Sequence, residues 1–167
     1  STVLVASVVL LVRPHLLDRY AEFPMAHVAT AVAIGGLIFV AAYIFGSWLG
    51  LRPLKLGKFQ LHYPSLPIVA RQLIVGPAEL LAAGAIIYFA LPAAGNPGYI
   101  TVLGIFLVSF SAAQISHAPG GLGVLEVVFL TGLPEMDPVG VLAALLVFRL
   151  LYLIVPLVLS LFVVLIF

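Results

Sequence analysis

The stretch Ser116-His117-Ala118-Pro119-Gly120-Gly121-Leu122-Gly123-Val124-Leu125-Glu126 breaks an otherwise apolar run and decides how this chain folds. Pro119 cannot continue a helix, and Gly120, Gly121 and Gly123 permit a tight non-helical path. An apolar helix is expected before the break, over 98–116. After it comes an apolar piece, 124–133, too short to cross a bilayer alone. Pro134-Glu135-Met136-Asp137-Pro138 then interrupts again, before a long apolar helix over 139–167. This pattern reads as a broken or re-entrant helix inside a polytopic, all-α membrane protein.

The composition agrees with that reading. Of 167 residues, 64% are hydrophobic and 8% charged. An ordinary soluble domain is about half apolar and about a quarter charged. One soluble core of this size could not hide so much apolar surface, whereas lipid can solvate it. The formal net charge of +1 gives no reason to expect a nucleic-acid partner. Cysteine is absent, which excludes disulfides, thiolate metal sites and a cysteine nucleophile.

Working outward, further spans are expected over 28–49 and 68–91, with a partial one over 1–12. The set is about five spans plus the half helix 124–133, in one transmembrane domain. The chain opens at Ser1 inside an apolar run and closes inside another, with no signal-peptide pattern, so a piece of a longer protein is expected. Leu16, Leu17, Tyr20 and Phe23 fall on one side of the connection 13–27, as for a short helix lying flat at the interface. Arg52, Lys55 and Lys58 make 50–67 basic and free of acids, which places it in the cytoplasm. Connections 13–27 and 92–98 then fall on the opposite side.

Arg71, Glu79, Glu126 and Arg149 lie within or at the edge of the expected spans. An unpartnered charge at the bilayer centre costs about 2.5–3.5 kcal/mol or more, so pairing or a polar cavity is expected. Arg71 sits near the basic loop, where snorkelling accounts for it. Arg149 cannot shed its proton and is expected to neutralise Glu126 or Glu79. Amides opening the 124–133 helix would face a phosphate or carboxylate from its positive end. Close packing of helices through small residues explains the glycines equally well, and a structural ion pair explains the charges. His117 could contact a headgroup or serve as a local hydrogen-bonding partner. Ser109, Ser111, Gln114 and Ser116 add polar groups on the same approach, a weak signal because such residues also satisfy helix backbone. HExxH, Walker A and nucleophile–His–acid patterns are absent, so no catalytic residue, metal or other cofactor is expected.

At SHAPGGLGVLE the chain resembles the lysylphosphatidylglycerol synthase transmembrane-region family, which includes the membrane half of the multiple peptide resistance factor. The basic loop LRPLKLGKFQL (51–61) and FRLLYLIVPL (148–157) resemble the same family's later segments, so the likeness covers most of 50–167. The motif carries over to Ser116, His117, Pro119, Gly120, Gly121, Gly123, Glu126 and Arg149. The resemblance implies a bacterial inner-membrane domain that moves phospholipid between leaflets, with lysyl-phosphatidylglycerol the foremost substrate. It also implies a contribution to resistance against cationic antimicrobial peptides. The expected partners are anionic or aminoacylated phosphatidylglycerol, a covalently linked synthase domain in the longer protein, and a homo-oligomer as an open alternative. In such a bifunctional protein the phosphatidylglycerol lysyltransferase activity belongs to the separate soluble domain. Two other readings stand beside flipping: a lipid-docking part of that synthase, and a scaffold whose charges are struts.

Overall fold

The computed structural model describes residues 2–20, 24–49, 54–56, 59–61, 66–116 and 121–166. Its architecture is all-α and polytopic. In chain order the helices are α1 (Thr2–Val12), α2 (Ala26–Trp48), α3 (Leu66–Ala90), α4 (Tyr99–Ser116), α5 (Val124–Gly132), α6 (Pro138–Arg149) and α7 (Val155–Ile166). A π-helical segment, Leu150–Ile154, joins α6 to α7, so Pro138–Ile166 is one continuous rod. Among the described residues, four helices are long and apolar enough to cross a membrane: Ala26–Trp48, Pro67–Ala90, Tyr99–Ser116 and Pro138–Ile166.

Two connections depart from the sequence reading. Within 50–67 the chain forms a small antiparallel hairpin, β1 (Leu54–Leu56) and β2 (Phe59–Leu61), with Lys55 opposite Gln60. Alternation of Leu, Lys and Leu in β1 is a strand pattern too short to stand out beside long apolar helices. In 13–27, Pro14–Arg19 is a 3-10 helix. Its apolar side faces protein: Leu16 is buried, and a methyl group added at Gly104 would run into it.

Polar tethers fix this segment. Asp18 accepts from the Met25 amide at 2.6 Å and from His15 Nδ1 at 3.0 Å. The first of these bonds, aided by His15, holds the Asp18 carboxyl below its ordinary value. A lowered carboxylate pKa contributes stability that is present above the unfolded-state value and lost as pH falls through the folded value. Acidification below about pH 4 is therefore expected to lower the protection of the amides at Met25 and the start of α2, measured as exchange relative to the unstructured chain at the same pH. Asp18→Asn should show the lower protection already at neutral pH, and equal protection in both proteins would remove this role.

The core lies between α3, α4, α5 and α6, where Ile87, Ile105, Phe129 and Val141 are fully buried. α1 and α2 pack closely, since a methyl at Gly36 would overlap the Ser7 hydroxyl. α3 and α6 run antiparallel, with Gly140 against Pro92 at one end and Tyr152 bonded to Glu79 further along. α5 runs back along α4, because Gly121 packs at Ala113 and Gly132 at Ile105. The α4–α5 break therefore lies at one end of the bundle. Segments 13–20, 91–98 and 133–137 gather at the other, where Arg19 Nη1 donates to the Gly132 carbonyl at 2.6 Å and pairs with Glu135 at 3.3 Å.

Candidate functional site

The break delivers two glycines that no other residue could replace without strain. Gly121 has φ +65° and Gly123 φ +82°, values that L side chains rarely adopt. Gly123 caps the N-terminus of α5 with no side chain of its own, and Glu126 sits in the first turn beyond it. A carboxylate there is favoured by the positive end of the helix.

Arg149, the last residue of α6, meets that carboxylate. Its Nη2 lies 2.7 Å from Glu126 Oε1, with side chains 13% and 26% exposed respectively. The same nitrogen donates to the Gly121 carbonyl at 3.4 Å. One cation thus ties together the break, the start of the half helix and the middle of the long rod. The pair leaves Glu126 Oε2 and Arg149 Nε buried without a hydrogen-bond partner among the described residues. Unsatisfied charged atoms of this kind are costly and mark places where a ligand or water supplies the missing bond.

Glu79 joins through a different partner. Tyr152 donates its hydroxyl to Glu79 Oε1 at 2.6 Å, so Arg149 selects Glu126 and leaves Glu79 to the phenol. Tyr152 lies in the π-helical segment, where the Val155 amide reaches back to the Leu150 carbonyl. Such segments recur at functional sites in helices. Its ring stacks on Phe148 at 5.1 Å, and Phe148 meets Phe106 edge-on at 5.7 Å.

The remaining site candidates divide. Ser116 is exposed and bonds back to the Ala113 carbonyl within its own helix. His117, Pro119 and Gly120 lie outside the described residues. Arg71 is exposed on α3 and shares a shallow groove with Gln72 and Glu79. Sequence reasoning did not single out Tyr152 as a site residue. Its sequence signals were membership of the FRLLYLIVPL stretch and position: three residues after Arg149, it falls on the same helical face. Among the described residues no group of His, Asp and Glu could hold a metal ion.

Comparison with known proteins places this geometry among membrane proteins. The chain is 37% identical over 133 residues to inner membrane protein YbhN of Escherichia coli, a match covering 78% of the chain and 41% of that protein. It is 30% identical over 154 residues to protein slr0712 of Synechocystis sp., covering 92% of the chain and 48% of that protein. A third match, to the phosphatidylglycerol lysyltransferase of Bacillus subtilis, is 36% identical over 87 residues, half of the chain and 10% of that enzyme. No protein-family model matches the chain. The chain spans less than half the length of the first two relatives. It is a multi-pass bacterial inner-membrane protein, and its relatives include proteins that carry the lysyltransferase name.

Proposed function

We propose that this chain forms a single membrane domain that translocates phospholipid between leaflets, with lysyl-phosphatidylglycerol the best-fitting substrate. The observation that carries this reading is the pair of unsatisfied atoms at the break. A headgroup with both an ammonium and a phosphate offers the missing partners once the side chains turn to meet it: the ammonium would donate to Glu126 Oε2 and the phosphate would accept from Arg149 Nε. Arginine suits phosphate because its planar fork offers several donors in fixed directions. The amides at the start of α5, around Gly123, add a second source of positive potential for the phosphate. Similarity to a phosphatidylglycerol lysyltransferase supports the choice of lipid. In this reading the hairpin 54–61 faces the cytoplasm, where the basic residues of 50–67 favour it. Delivery of a cationic lipid to the outer leaflet would lower the attraction of the cell for cationic antimicrobial peptides.

The test is a leaflet assay on the full-length protein reconstituted into liposomes with labelled lysyl-phosphatidylglycerol. Glu126→Gln is expected to slow outer-leaflet appearance about tenfold or more, the effect of losing one charge-assisted bond of about 1.5–3 kcal/mol. Equal rates for wild type and variant would remove Glu126 from the site. The similarity to the lysyltransferase also favours a second reading, a platform that docks lipid for a linked synthase domain. That reading predicts lipid binding with no leaflet exchange.

A further inference from the structure

Beside the Glu126–Arg149 pair, a slot runs between α4, α5 and the α6–π junction. Its walls are Phe106, Phe110, Ala113, Leu125, Phe148 and Leu153, and its volume is about 280 Å³. Gly121, whose carbonyl accepts from Arg149, lines it too, with Gln114 and Tyr152. Gln114 and Leu153, which also line it, are exposed and belong to α4 and the long rod, two of the helices long and apolar enough to cross a membrane.

We propose that this slot holds one acyl chain of a diacyl phospholipid while the headgroup of the same molecule occupies the Glu126–Arg149 pair. The proposal rests on the lipid reading of that pair and adds where the tail goes. Three observations select this occupant. The walls are mainly apolar and largely aromatic, and Gly121, whose carbonyl accepts from Arg149, joins the slot to the charged pair, so an apolar tail and a polar head have adjoining places. Its volume falls just below the roughly 300–1,000 Å³ of pockets that enclose a whole small molecule, which leaves room for part of one chain and excludes a complete lipid. Its walls are also fixed: Phe106, Phe148 and Tyr152 brace one another, and the Tyr152 hydroxyl is held by Glu79. Along α7, by contrast, no described residue is buried, so that helix offers lipid only a convex surface.

Ala113 is the position that tests the idea, because its methyl lines the slot without touching the charged pair. The full-length protein is placed in nanodiscs containing phosphatidylglycerol with a photoreactive diazirine midway along one chain, and adducts are mapped by mass spectrometry. Adducts in 106–114 and 148–153 are expected to exceed those in α7 about tenfold, a preference of about 1.4 kcal/mol. Ala113→Trp should abolish that excess, and the smaller Ala113→Leu should reduce it if the indole prevents folding. A diazirine fatty acid lacking the phosphate headgroup should label the slot at least about tenfold less. Labelling no denser in the slot than along α7, or unchanged in both variants, would overturn the proposal. Equal labelling by the fatty acid would overturn its link to the headgroup pair. The leaflet assay separates the two ideas: slot labelling without exchange sinks translocation alone, and exchange without slot labelling sinks the slot alone.

Discussion

Arg149→Ala is expected to destabilise the domain by about 3–5 kcal/mol, because removing one member of a buried ion pair strands the other charge. Glu126 would be left at the start of α5 with no ion-pair partner among the described residues. Equilibrium unfolding in mixed micelles measures the loss. The reversed pair, Glu126→Arg with Arg149→Glu, tells more. Coulomb attraction is restored, so stability should recover by most of the single-variant loss. Transport should not recover, since the carboxylate would then stand where the phosphate must bind and the arginine would crowd the α5 N-terminus. Recovery of both would make the pair a strut between α5 and α6. Failure of the reversed pair to regain stability would mean that the positive end of α5, rather than Arg149, is the main partner of Glu126.

Gly121→Ala should produce the second large effect. At φ +65° an alanine pays for a left-handed backbone, and its methyl would lie 2.7 Å from Leu125 Cδ1 and 3.3 Å from Ala113 Cβ. Backbone strain of this kind costs about 1–3 kcal/mol before any clash is counted. Leu125 is buried and cannot swing away freely, so the Gly121 carbonyl should shift off Arg149. Gly123→Ala is the matched control: its φ is +82°, yet nothing lies within 4 Å of an added methyl. It should lose the strain energy alone. A melting temperature lowered equally by both substitutions would show that contact with Leu125 adds nothing at Gly121.

These expectations draw on parts of the protein that were unequally legible in its sequence. The spanning helices were readable because apolar runs of that length have few alternatives in lipid, where every backbone group must be satisfied within its own segment. The half helix was readable from its punctuation, Gly123 before it and Pro134 after it. Partner choice was only half readable. Burial cost required that Arg149 find an acid, and two were in range. Which one it took depended on the angle at which α5 doubles back on α4, a tertiary quantity with no local signature. The same holds for Tyr152 and Glu79, and for Arg19, whose bond to the Gly132 carbonyl joins positions far apart in sequence. The hairpin 54–61 escaped because two three-residue strands leave almost no periodicity to detect.

The rod formed by α6, the π segment and α7 holds 29 residues, about 43 Å at about 1.5 Å per residue. The hydrocarbon layer is about 30 Å thick. A rod that long, and oily to its end, must lean steeply or draw the surrounding bilayer up around itself. Its first turns are clasped by α3 and cannot lean alone, so the deformation falls on the lipid beside the distal half. Phospholipids there would be locally disordered, a stone's throw from the mouth between α4 and the rod, and the membrane would arrive at that doorway already loosened.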